Sequence, residues 1–130
     1  MNDIKQQIIM NDVTLKIREA QTLDEVKELA LKYAAKYQTG LTEYIDDSTT
    51  VNIKYLIDCH NYDLDEALGE FLDFQACDSC NLNDLVMDIL DENNVTFLAP
   101  YIDFEKYIND LRVEYDEYEF DGKTYIIRLY

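Results

Sequence analysis

The residues best suited by type to hold a metal are Cys59-His60 and the C-x-x-C of Cys77 and Cys80. Thiolate and imidazole are zinc's usual ligands, but a structural site pairs two short-spaced motifs, and the neighbours Cys59 and His60 are awkward joint ligands. Cys77 and Cys80 read equally as small core residues flanking a turn. No apolar strand with aromatic context precedes them, so thioredoxin-like redox chemistry has no support. "DLDEALGE" clusters acids, but its glycine and last glutamate do not fit a calcium loop. Catalysis has equally little to stand on: one histidine, no glycine-rich phosphate loop and no nucleophile elbow. With 28 carboxylates some pair always resembles an acid/base dyad, so such a pair carries no information. The expectation is a protein that is not an enzyme and uses neither cofactor nor metal.

What the chain has in excess is carboxylate, arranged in rows. In "DLDEALGEFLDF" (63–74) every charge is negative. Asp63, Glu66, Glu70 and Asp73 are spaced 3, 4, 3, which predicts one exposed side of an amphipathic helix whose buried stripe is Leu64, Ala67, Leu68 and Phe71. "NLNDLVMDILDENN" predicts a second acidic helix capped by Asn81, with Asp84, Asp88 and Asp91 outward and Leu82, Leu85, Val86, Ile89 and Leu90 inward. Like charges one turn apart cost roughly 0.2–0.5 kcal/mol per pair, and neither helix has a lysine to offset it. Fixed anions in a row are a recognition surface for cations. At about 1.5 Å of rise per residue the first row spans roughly 15 Å, one charge per ~4–5 Å, close to the ~3.4 Å between phosphates on one DNA strand. Asp103, Glu105, Asp110, Glu114, Asp116 and Glu117 are candidates to extend it.

The charge distribution supports that reading. The net charge is −17, yet residues 1–42 carry six acids and six bases, whereas 43–130 carry 22 acids and five bases. Between Lys54 and Lys106 there are 13 acids and no Lys or Arg. A salt-loving source would not leave residues 1–42 neutral. Such a field repels nucleic acid and anionic membranes and steers toward basic surfaces. Direct nucleic-acid and membrane partners are therefore excluded. A 48% hydrophobic content supports a packed core rather than an acidic disordered tail. No apolar run approaches bilayer length, the start lacks secretory-signal features, and an odd number of cysteines suits a reducing compartment, so a cytoplasmic location is expected.

The elements that must position these residues read as an α+β fold: several short acidic helices with a small antiparallel sheet that includes a C-terminal hairpin. Thr22 and Glu25 form a capping-box pattern opening a helix that ends before Gly40. "VTLKIRE" fits strand or helix equally, and "TTVNIKYLIDCHN" leans toward helix. A short extended piece is expected at "FQACD", and Pro100 predicts an extended lead-in to a helix capped by Asp103 and running to about Leu111. Asp121-Gly122 between β-rich runs is a hairpin signal. Charge divides the chain into a neutral helical segment, 1–42, and an acidic α+β region, 43–130.

Within that region "FLAPYIDFEKYINDL" (97–111), followed by the hairpin, resembles the C-terminal part of the ArdA antirestriction proteins. Pro100, Tyr101, Asp103, Phe104, Tyr107, Asp110 and Leu111 match that family's run in order, and the helix–strand–acidic helix layout of 63–93 is similar to it, over roughly the last 70 residues. Asn109 stands where those proteins commonly carry a base, and residues 1–42 do not resemble their N-terminal domain. The resemblance implies an acidic inhibitor from a phage or mobile element, acting in a bacterial host cell. It implies mimicry of B-form DNA, a homodimer, and occupation of the DNA groove of a type I restriction–modification enzyme. The alternatives are an anti-CRISPR protein blocking the duplex recognition-motif (PAM) site of a CRISPR nuclease, and an acidic immunity or adaptor protein that binds one basic partner through a tyrosine-and-carboxylate hot spot.

Overall fold

The computed structural model describes residues 2–77 and 81–128. Its fold is α+β, mostly helical, with one three-stranded antiparallel sheet. Helices α1 (Asn2–Glu19) and α2 (Leu23–Tyr37) form an N-terminal hairpin, and "VTLKIRE" is the second half of α1. Thr22 caps α2 by accepting from Glu25 N–H at 3.2 Å. In place of the expected bond from the Thr22 N–H, the Glu25 carboxylate accepts from the Thr22 hydroxyl at 3.1 Å. A 3-10 helix, Thr39–Tyr44, leads to α3 (Asp47–Cys59), which opens with a capping box between Asp46 and Thr49. Every residue from Thr50 to Ile57 is buried. Its buried positions include the polar Thr50, Asn52 and Lys54, each of which donates a hydrogen bond to a backbone carbonyl.

Helix α4 (Leu64–Glu70) is shorter than the 63–74 element expected. Long-range hydrogen bonding ends it: the buried Asn52 amide donates at 3.0 Å to both Phe71 O and Phe74 O. The chain passes through a 3-10 turn, Phe71–Asp73, into β1 (Gln75–Cys77). Helix α5 (Leu82–Glu92) follows and ends with Asn94 at φ 58°, where Val95 N–H bonds Leu90 O and Asn94 N–H bonds Asp91 O. This is a Schellman stop that asparagine, tolerant of the left-handed region, can supply. Residues Thr96–Tyr101, expected to be extended, are a 3-10 helix containing Pro100. The bonds Leu98 N–H to Val95 O and Ile102 N–H to Ala99 O carry that turn without asking Pro100 for a donor. Helix α6 (Phe104–Leu111) is capped by Asp103, as its sequence predicts.

Strands β2 (Tyr115–Phe120) and β3 (Lys123–Arg128) make the C-terminal hairpin. Asp121 and Gly122, at φ 52° and 74°, supply the two left-handed residues that a two-residue turn matched to strand twist requires. Strand order is β1-β3-β2. Tyr118, Phe120, Tyr125, Ile127 and Ala76 pack with α3 in the main core. Ile126 lies on the opposite face, opposite Glu117 in register, and is buried, as are Leu82, Val86 and Leu90 of α5. The main core joins Met10, Ile17, Val26 and Tyr33 to Tyr55, Leu64 and Phe71. The charge division at residue 42 is thus not a packing division. No helix among the described residues is long and apolar enough to cross a membrane.

Candidate protein-binding face

The thirteen carboxylates singled out in the sequence have three different surroundings. Asp63, Glu66, Asp84 and Asp103 are helix caps. Asp63 accepts from Glu66 N–H at 2.8 Å while Glu66 accepts from Asp63 N–H at 3.2 Å. Asn81 and Asp84 exchange the same pair at 2.9 and 3.4 Å, and Asp103 accepts from Lys106 N–H at 3.2 Å. The unpaired N–H groups of a helix start favour negative charge. A cap therefore fixes the carboxylate's direction.

Three others are tied into the tertiary structure. Asp116 accepts from the Tyr55 hydroxyl at 2.7 Å. Glu117 accepts from Leu82 N–H at 3.3 Å, anchoring the start of α5 to the sheet, and lies 4.0 Å from Arg112. Glu70 takes the Tyr62 hydroxyl, which raises that phenol above its ordinary value. The remaining six, Asp73, Asp88, Asp91, Glu105, Asp110 and Glu114, are exposed and make no side-chain hydrogen bond or ion pair among the described residues. Because α4 stops at Glu70, Asp63, Glu66, Glu70 and Asp73 do not share one helical side; Asp73 sits in the 3-10 turn beyond it. On α5, Asp84, Asp88 and Asp91 do share a helix, over roughly 10 Å of axis.

Sequence patterning missed four further carboxylates. Asp58 accepts from Tyr118 at 2.6 Å, and Asp65 from Tyr33 at 2.7 Å. Asp121 accepts from Leu23 N–H at 3.0 Å, and Asp46 caps α3 with its carboxyl held below the usual range by the Thr49 N–H. Only Asp121, in its turn dipeptide, and Asp46, before the threonines, carried any local signal. The tyrosine partners are distant in sequence and follow from the packing alone.

Beside the open carboxylates the C-terminal third also exposes apolar side chains. Phe97 is 70% and Tyr101 85% exposed on the 3-10 helix that packs on α5, and Val113 follows α6. Helix α6 has no buried residue at all; Phe104, Tyr107, Ile108 and Leu111 are only half-buried.

The metal-ligand candidates have other surroundings. The His60 ring packs edge-on to Tyr55, Tyr62 and Phe74 at 5.2, 5.7 and 6.1 Å. Burial, then Asp58 and Asp116, push the Cys59 thiol up, away from the reactive thiolate. The side chain of Cys77 and all of Cys80 lie outside the described residues, among which no group of three or more His, Cys, Asp or Glu side chains is placed to hold a metal. No protein-family model, curated protein or solved structure matches the chain.

Proposed function

We propose that the protein is a DNA-mimic inhibitor that occupies the DNA-binding groove of a bacterial defence nuclease, foremost a type I restriction–modification enzyme, without itself being an enzyme. The observation that carries this reading is the set of six open carboxylates: Asp88 and Asp91 on α5, Glu105 and Asp110 on α6, Asp73 in the 3-10 turn after α4 and Glu114 in the turn after α6. A rigid anionic surface releases counterions from a basic groove as DNA does, without folding cost on binding. The resemblance of residues 97–111 to ArdA proteins selects restriction enzymes as the first target to try. A CRISPR nuclease, whose recognition-motif cleft depends on arginines, is the alternative target.

The exposure of Phe97, Tyr101 and Val113 favours a second reading, an acidic immunity or adaptor protein with aromatic anchors. One experiment separates the readings: DNA cleavage by a purified type I enzyme and by a CRISPR nuclease, with the protein added and duplex DNA titrated. Mimicry predicts inhibition that excess uncleavable duplex relieves. Inhibition that duplex does not relieve establishes the docking reading instead, and absence of inhibition of both enzymes removes both named targets.

A further inference from the structure

Helix α1 has two apolar faces. Met10, Thr14 and Ile17 are buried toward the core. Roughly 120° round the helix, within an arc of about 60°, lie Ile4, Ile8, Asn11 and Leu15. The three aliphatic residues of that row are 68%, 64% and 51% exposed. Isolated surface aliphatics are ordinary. A row of them along an 18-residue helix, with one asparagine in the middle, is the pattern of a helix that pairs with another helix.

Charge identifies the occupant. Two copies approaching through residues 43–130 would bring 22 acids against 22, whereas α1 lies in the segment of zero net charge. On the margins of the row Lys16 is paired with Asp12 at 3.0 Å, and Arg18 is turned away to Ile57 O and Asn61 Oδ1. Asp63 and Glu66, which border the row near Leu15, are occupied in the cap of α4. Lys5 and Glu19 lie on one flank at opposite ends of α1, so an antiparallel second copy sets the lysine of each toward the glutamate of the other. Asn11, hydrogen-bonded to Gln7 at 3.4 Å, then falls near the two-fold axis beside its own copy, where a polar residue fixes register.

We propose that the protein self-associates as a two-fold, antiparallel α1–α1 dimer. The apolar row is short for a stable interface, so the dimer is weak, and its salt response is diagnostic. Screening of the −17 charge on each copy and strengthened apolar burial make it tighter as salt rises. A contact between acidic and basic surfaces would loosen instead.

The test is sedimentation equilibrium across a wide concentration range at about 0.05 M and about 1 M salt. The expected mass climbs from 15.3 kDa toward twice that value, and at lower protein concentration in high salt. Ile8→Lys and, separately, Leu15→Lys hold the protein at one chain with unchanged circular dichroism, while Tyr101→Lys dimerises like the parent. A chain that stays monomeric throughout overturns the proposal. So does a dimer that salt dissociates, or one that both α1 variants leave intact.

Discussion

The Tyr118 hydroxyl donates to Asp58 at 2.6 Å, and the same carboxylate lies 3.2 Å from the Lys54 ammonium. Lys54 is buried and also donates at 2.8 Å to Ile17 O and Arg18 O, two carbonyls in the last turn of α1. A cation at a helix C-terminus meets the negative end of the macrodipole. One ammonium thus ties together α1, α3 and the C-terminal hairpin.

Lys54→Met is expected to cost about 3–5 kcal/mol, because it leaves the Asp58 carboxylate without its cation and removes a charged donor from Ile17 O and Arg18 O. Tyr118→Phe, which leaves Asp58 its lysine, should cost only about 1–2 kcal/mol. Urea unfolding of the two variants checks both the order and the gap. Equal costs would show that the lysine does not bear the junction.

Alkaline stability should depend on the same tyrosines. Burial first, and Asp65 second among the groups that raise it, push Tyr33 up to about 12; burial followed by Asp116 and Asp58 raises Tyr55 and Tyr118 further. A folded value above the unfolded one means that the folded chain holds the proton longer. The contribution is therefore complete below about pH 10, where unfolded tyrosine titrates, and is lost as pH climbs through the folded values. Urea midpoints measured with rising pH should hold level and then fall, in step with phenolate absorbance. A decline that begins near neutrality would contradict the assignment.

Asn52→Leu should destabilise by about 1–3 kcal/mol although it adds apolar volume, because Phe71 O and Phe74 O lose their donor in a buried setting. Hydrogen exchange is the sharper readout: protection should fall across 71–77, where α4 gives way to β1, more than in α2.

For the proposed inhibitory face, neutralising Asp88, Asp91, Glu105 and Asp110 one after another to Asn or Gln should weaken target binding stepwise. It should also flatten its dependence on salt, because fewer ions are exchanged at each step. Phe97→Ala and Tyr101→Ala should have smaller effects. A single aromatic substitution that abolishes binding while the charge variants do little would mark a hot-spot interface instead.

Much of this fold was legible where the signal is local. The Asp63/Glu66 box, the caps at Asn81 and Asp103 and the Asp121-Gly122 turn are each decided by a few adjacent residues. What escaped was set from a distance. Asn52, far along the chain from the carbonyls it holds, ends α4 early and takes Asp73 out of the expected row. For the candidate face, spacing placed Asp84, Asp88 and Asp91 on one helix, but it did not see the first row broken and could not separate a carboxylate that caps or pins from one left open. Asp116 looks like its neighbours until Tyr55 is seen donating to it.

The strand order β1-β3-β2 leaves β2 on the outside of the sheet, where its backbone groups offer a template to any other extended chain. That strand carries Asp116, Glu117 and Glu119, with Glu114 just before it. The same negative charge therefore guards the molecule against stacking edge to edge with its own kind. Near the sequence isoelectric point of about 4.1 that guard lapses, and the hairpin becomes the place where precipitation or fibril growth would start.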